Sequence, residues 1–241
     1  MAKHIYLPDS APEDSIDLPV SCVLLRHSQG NVLFDTGCHP MVAESPEKRW
    51  GDLARTVVPT MAGDTNVVCE LRRINLTPGD IDIVVNSHLH CDHCGCNEFF
   101  SSATIYVHVD ELARARSPNA KELGYFHSDW GHPMPMIEIS GEMDIFDDGR
   151  IVLLPLPGHT PGLTGLLASL PNSGTFLLAS DAVALRAHLD MQIVPKNTWN
   201  QNLHMKSQAE IKRIEKSGAA VICGHDLAQW SALRTGEDRY D

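Results

Sequence analysis

Ile81-Asp82-Ile83-Val84-Val85-Asn86-Ser87-His88-Leu89-His90-Cys91-Asp92-His93 is the stretch that decides how this chain folds. Its opening is an apolar, β-branched run and predicts a buried strand over 81–87. Its end packs three imidazoles and a carboxylate, His88, His90, Asp92 and His93, into six positions. Neutral imidazole and carboxylate are good ligands for zinc and similar divalent ions. His88 and His90 are two residues apart, so in extended backbone both side chains point the same way. Asp92 and His93 follow where the chain must turn, so they can face a second ion.

Three more polar groups follow apolar runs in the same manner. Pro157-Gly158-His159-Thr160-Pro161-Gly162 sets one histidine in a tight turn. Leu178-Ala179-Ser180-Asp181 ends a strand on a carboxylate, and Val221-Ile222-Cys223-Gly224-His225 ends another on a histidine. A lone histidine or aspartate after a strand is ordinarily structural or solvated. Strand ends along one sheet edge converge in space, however. Together the four clusters offer seven donors, enough for two ions with positions left for water and substrate.

The rest of the pattern predicts short strands with helices between them. Strands are expected over 21–27 and 32–35, joined by the hairpin signal Ser28-Gln29-Gly30-Asn31, and over 104–107, 151–154, 163–168, 175–179 and 220–223. Helical spacing covers 65–75. A short helix runs to Arg116 with Asp110 as its expected cap, and Ser207 with Glu210 forms a capping-box pattern before a helix ended by Gly218. Residues 117–135, rich in Pro, Gly, His and Trp, read as an irregular loop or lid.

Composition narrows the partners. The chain has 241 residues, 43% of them hydrophobic, and a net charge of −12. That is enough to bury a large core, and a single domain over 1–241 is expected. So acidic a chain, with no Lys/Arg cluster, suits neither nucleic acid nor an anionic membrane. There is no apolar run of transmembrane length and no signal-peptide pattern. The seven cysteines are odd in number and scattered. They suggest reduced thiols in the cytoplasm. Cys91-x-x-Cys94 has the spacing of a thiolate or redox pair, but no second pair completes a site, so Cys91, Cys94 and Cys96 read as packing residues.

The motifs resemble those of the metallo-β-lactamase superfamily over nearly the whole chain. The resemblance implies an α/β fold, an αββα sandwich with two mixed β-sheets flanked by helices and a metal site at one edge. It implies that His88, His90 and His159 hold a first divalent ion, that Asp92, His93 and His225 hold a second, and that Asp181 bridges them. Zinc is expected, with manganese, cobalt or iron as alternatives. A hydroxide shared by the ions would attack the substrate carbonyl, with Asp92 also accepting a proton. Leu33-Phe34-Asp35-Thr36-Gly37 matches the family's early aspartate. Asp35 would either orient a loop or ligand histidine from behind, or simply close a turn with Thr36 and Gly37.

Leu18-Pro19-Val20, the His159 turn and Gly224-His225-Asp226 are most similar to the branch containing the N-acyl homoserine lactonases and pyridoxolactonase. That branch implies opening of a small lactone to its hydroxy acid, either an N-acyl homoserine lactone or a lactone from aromatic or heterocycle breakdown. A homodimer is compatible with it. One departure stands out: the tyrosine that the branch carries three residues after the bridging aspartate is Ala184 here. His188 is near enough in sequence to substitute, unless it is a surface histidine. Trp130 and His132, with Phe126 and Met134, either form an apolar substrate wall or pack a long loop onto the surface. Other branches fit less well. A glyoxalase-II-like thioesterase would carry a basic tail, whereas residues 236–241 are mostly acidic. The oxygen-reducing di-iron branch has an acidic residue where His90 stands, and nuclease branches conflict with the charge. A ligand-sensing protein that keeps the metal site is the alternative outside enzymology.

Overall fold

The computed structural model describes all residues, Met1–Asp241. The chain forms two compact units: Val20–Glu138, and Met1–Pro19 together with Ile139–Asp241. It opens on one helical turn, α1 (Lys3–Tyr6).

Val20–Glu138 is built on a five-stranded sheet in the order β1 (Val23–His27), β2 (Gly30–Phe34), β3 (Ile83–Val85), β4 (Thr104–His108), β5 (Met136–Ile139). The expected hairpin joins β1 to β2, with Val23 opposite Phe34 and His27 opposite Gly30. β2, β3 and β4 run parallel, with Phe34 level with Val85 and Val85 level with Tyr106. Parallel strands are covered on both faces, which is why Val32-Leu33-Phe34 and Val84-Val85 are unbroken apolar runs, all buried. The helices are α2 (Pro46–Trp50), α3 (Val67–Arg73), α4 (Val109–Ala115) and α5 (His127–Trp130). α3 lies inside the predicted 65–75 stretch. Asn66 caps it by accepting from the Cys69 amide, and Val67 and Leu71 pack with Leu33, Val84, Phe100 and Ile105.

Two local expectations change here. The cap of α4 is His108, whose Nδ1 accepts from the Asp110 amide at 3.2 Å, and not Asp110 itself. β4 runs straight into the helix, and only the residue before the first turn can reach that amide. Residues 117–135 also carry more order than an irregular loop, with a 3₁₀ turn over Ala120–Leu123 and then α5. Arg49 of α2 pins them, donating to Asp129 at 2.6 Å and to the Ser128 carbonyl at 2.8 Å. Asp129 is fully buried, and burial outweighs the guanidinium and holds its carboxyl up to about 6.

The other unit carries a second mixed sheet in the order β10-β9-β8-β7-β6. Its strands are β6 (Met143–Asp144), β7 (Ile151–Pro155), β8 (Thr164–Leu170), β9 (Gly174–Ser180) and β10 (Ala220–Cys223). All neighbours are antiparallel except β9 and β10, which are parallel. The helices are α6 (Arg186–Asp190), α7 (Gln201–Lys216) and α8 (Leu227–Ala232). α7 lays Ile211 and Ile214 against Leu177 and Val221. It starts before the predicted capping box: Asn200 is the cap, accepting from the Leu203 amide at 3.1 Å. Ser207 is buried in mid-helix, and its hydroxyl donates to the Pro157 carbonyl at 2.7 Å. No helix is long and apolar enough to cross a membrane.

Candidate metal centre

In Val20–Glu138 the donors sit just past the ends of β2 and β3. The Asp35 amide donates to the Val85 carbonyl at 2.9 Å, which sets Asp35 beside the loop that follows β3. Asp35 takes the left-handed conformation, φ +60°, unusual for a residue with a side chain. Three short contacts hold it there. Its carboxylate accepts from the Ser87 amide (2.7 Å), the Ser87 hydroxyl (2.7 Å) and His93 Nδ1 (2.8 Å).

Those contacts dictate which ring nitrogens carry protons. A carboxylate only accepts, so His93 Nδ1 is the N–H and Nε2 carries the lone pair. The single Ser87 proton goes to Asp35, so at 3.0 Å from His88 the Ser87 oxygen can only accept from Nδ1. His88 Nε2 is then also a lone-pair nitrogen, and it lies 3.1 Å from His90 Nδ1. His88 and His93 are buried, their ring centroids 4.0 Å apart, while His90 and Asp92 are half-buried. Behind the loop, buried Glu111 of α4 accepts from the Leu89 amide at 3.1 Å, and the His90 ring rests on Tyr125 at 4.8 Å. Asp92 Oδ2 lies 3.7 Å from His93 Nε2.

The other unit brings His159, Asp181 and His225 together in the same style. The turn of His159 lies on the start of α7. Asn200 donates to the Gly158 carbonyl at 2.9 Å, and Trp199 to the His159 carbonyl at 3.1 Å. Asp181 is aimed by an irregularity: the β9–β10 register skips at Ile222/Cys223, and Ser180 adopts φ +47°. Bulges and strained residues at strand ends commonly re-aim functional side chains. His225 Nδ1 donates to the Pro19 carbonyl at 2.9 Å, so its Nε2 carries the lone pair, 2.9 Å from Asp181 Oδ1. His159 Nε2 lies 3.3 Å from Asp181 Oδ2. All three side chains are at least nine-tenths buried. An acceptor nitrogen facing a carboxylate oxygen in a buried place is repulsive unless a cation joins them. Imidazole and carboxylate donors with their tautomers fixed from behind are what a divalent ion takes, so the residues fit such an ion.

The expected substrate contacts are placed differently from one another. Trp130 is buried in a cluster with Leu89, Cys94, Val107 and Leu112. His132 is half-buried on the following segment. Ala184 is buried beside Tyr6 and Leu185. His188 is not a surface histidine. It is fully buried, its Nδ1 accepting from the Leu185 amide at 3.4 Å and its Nε2 donating to the Tyr6 carbonyl at 3.0 Å. Burial also pushes its pKa below the ordinary histidine value. Cys91, Cys94 and Cys96 are buried in apolar clusters, and burial drives their thiols upward, Cys96 to about 12. Two supports of the site were not anticipated. Ser87 stands in the opening motif yet reads as an ordinary polar residue. The Pro19 carbonyl is a backbone group and leaves no side-chain signature.

Comparison with known proteins bears on this arrangement. Residues 16–225 match the metallo-beta-lactamase superfamily. The N-acyl homoserine lactonase AttM of Azorhizobium caulinodans is 30% identical over 232 residues, covering 93% of this chain and 88% of that protein. The N-acyl homoserine lactonase AiiB of Agrobacterium fabrum is 29% identical, covering 93% and 86%. A solved N-acyl homoserine lactone hydrolase, with N-hexanoyl-L-homoserine bound at its catalytic metal center, superposes with a TM-score of 0.86. It is 26% identical, covering 96% of this chain and 90% of that one. The two mixed β-sheets and their helices in this chain are the expected architecture. With most of its length matched and its fold shared, the chain belongs to the metallo-beta-lactamase superfamily.

Proposed function

We propose that this protein is a metal-dependent lactonase that opens N-acyl homoserine lactones to the hydroxy acid. Relatives named for that activity, aligned over about nine-tenths of the chain, support the substrate class. The observation that carries the reading is the orientation of the imidazoles. Asp35, Ser87 and the Pro19 carbonyl hold the protonated nitrogens of His93, His88 and His225 and leave each Nε2 as a donor.

The residues that would hold a first ion are His88, His90 and His159, and those for a second are Asp92, His93 and His225, with Asp181 shared. Zinc is the expected metal. When bound, such ions supply Lewis acidity toward a carbonyl oxygen and acidify water. Asp92 is the half-buried carboxylate of the set, and its partial exposure supports a role in accepting a proton and passing it to solvent. Asp35 keeps His93 and, through Ser87, His88 in their donor tautomers. No serine or cysteine nucleophile is then needed, and the raised thiol pKa values suit packing.

The test is elemental analysis of the purified protein followed by a pH-indicator assay. Homoserine lactones of several acyl lengths are set beside aryl and heteroaryl lactones. About two divalent ions per chain are expected, with one proton released per turnover, activity abolished by chelation, and a His159→Ala loss of orders of magnitude. If every lactone is inert while a glutathione thioester is cleaved, the thioesterase reading replaces this one.

A further inference from the structure

We infer that Asp226 is a positioning residue that fixes the spacing between the expected metal ligands Asp181 and His225. This assignment rests on the metal-centre reading above. Asp226 directly follows His225 and caps α8, its Oδ1 accepting from the Gln229 amide at 2.9 Å. A serine or asparagine would cap a helix as well. What the carboxylate adds is a second accepting oxygen. That oxygen, Oδ2, accepts from the Arg186 amide at 2.8 Å, 40 residues back in the chain. Arg186 is the first residue of α6, and Leu185 before it offers no side-chain cap. The first amides of a helix have no partner within it, so one carboxylate serves the starts of two helices.

Both helices begin beside an expected ligand. Asp181–Val183 is a 3₁₀ turn that leads through Ala184 and Leu185 into α6. His225 and its neighbour Asp226 lead into α8. Two backbone bonds already join these segments: the Gly224 amide donates to the Val183 carbonyl at 3.1 Å, and the His225 amide to the Ala184 carbonyl at 2.8 Å. The bond from the Arg186 amide to Asp226 is the next rung of that ladder. A side chain supplies it because the backbone is turning into helix there. The approach is close. A Cβ on Gly224 would stand 2.9 Å from Asp181 Oδ1 and 3.0 Å from the Ser180 carbonyl oxygen. His225 Nε2 lies 2.9 Å from the same Asp181 Oδ1. Any parting of the two segments therefore changes the Asp181–His225 distance directly.

Each segment is braced on its own side. Gln229 of α8 accepts from the Cys223 amide at 2.7 Å and donates to the Val221 carbonyl at 2.8 Å, and Trp230 Nε1 donates to the Cys223 carbonyl at 2.9 Å. These bonds fix α8 to β10. The Arg186 guanidinium donates to Asp190 of α6 at 2.9 Å and to Glu215 of α7. Those bonds fix the start of α6. Asp226 locks the one braced piece to the other, at the residue adjoining the ligand. Outer contacts of this kind hold metal ligands in binding geometry before the ion arrives. Asp226 needs no contact with ion or substrate to do so.

The experiment breaks the rung from both ends. Asp226→Ser keeps a cap for α8 and loses the reach to Arg186. Arg186→Pro removes the donor amide at a first helical position, where proline fits, and Leu185 is already extended as a following proline requires. Arg186→Ala controls for the lost guanidinium. Each protein is loaded with zinc and titrated with a competing chelator. Asp226→Ser and Arg186→Pro should each weaken zinc binding roughly 10–100-fold, the scale for an outer partner of a metal ligand. The double variant should lose no more than the weaker single, because donor and acceptor belong to one bond. Arg186→Ala should bind zinc as the wild type does. Wild-type zinc affinity in Asp226→Ser overturns the assignment, and so do losses that add in the double variant. A loss in Arg186→Ala equal to that in Arg186→Pro also overturns it, because the guanidinium would then be responsible. Should Asp226→Ser fail to fold, Asp226→Asn keeps the shape with one accepting oxygen, and wild-type zinc affinity there overturns the assignment equally. A wild type that holds no divalent ion overturns the metal-centre reading itself, and is seen before any variant is made.

Discussion

At Asp35 a single side chain does three jobs. It closes the Ser87 amide, orders the Ser87 hydroxyl and fixes the tautomer of His93, all from a strained backbone with φ +60°. The residue was legible as a strand-end aspartate in Leu33-Phe34-Asp35-Thr36-Gly37. What it supports was not, because Ser87 and His93 lie 52 and 58 residues away. Asp35→Asn replaces one accepting oxygen by a donor, which opposes either the Ser87 or the His93 proton. Losing such an outer partner typically costs about 10–100-fold in metal affinity. A chelator competition titration should show a loss of that size, with far-UV circular dichroism unchanged. Equal affinity in the two proteins would mean that Asp35 only closes its turn.

At the scale of elements, the expected donors sit in short turns that follow β3, β7, β9 and β10, and the helices behind them set how those turns lie. The turn Pro157–Gly162 is the tightest case. Gly158 has φ +147°, and a Cβ there would stand 2.3 Å from His204 Cα on α7. No side-chain rotation relieves a clash with helix backbone, so Gly158→Ala must push the turn off α7 and carry His159 with it. A cost of about 3 kcal/mol in urea unfolding is expected. Gly141→Ala, where nothing lies within 4 Å, should cost less than about 0.5 kcal/mol. If the two variants are equally stable, the turn is not packed as described. Strand positions were readable because apolar runs and Gly/Pro turns are local signals. The helix starts were less so. Ser207 and Glu210 imitate a cap, but tertiary packing gives Ser207 the Pro157 carbonyl instead, and Asn200 takes the capping role.

For the whole molecule, several histidines are placed where protonation is costly. His39, His108, His188 and His204 are all held below the ordinary histidine value, chiefly by burial, and His204 reaches about 4. His204 is fully enclosed, and neither of its ring nitrogens has a partner. The unfolded chain binds that proton near 6.5, and the folded chain only near 4. His204 thus leaves stability intact above 6.5 and lowers it as pH falls toward 4, by up to roughly 3 kcal/mol. Urea unfolding from pH 7.5 to 5 should show a steeper loss for the wild type than for His204→Leu, and parallel curves would sink the idea. The amino-acid order by itself determined which donors exist and that they follow strands. Imidazoles, carboxylates and apolar alternation are properties of neighbouring residues. Only the tertiary structure decided who holds them. His188 is claimed by the Tyr6 carbonyl 182 residues away, and His225 by the Pro19 carbonyl 206 residues away. A backbone carbonyl has no letter of its own in the sequence, and packing alone determines which side chain it meets.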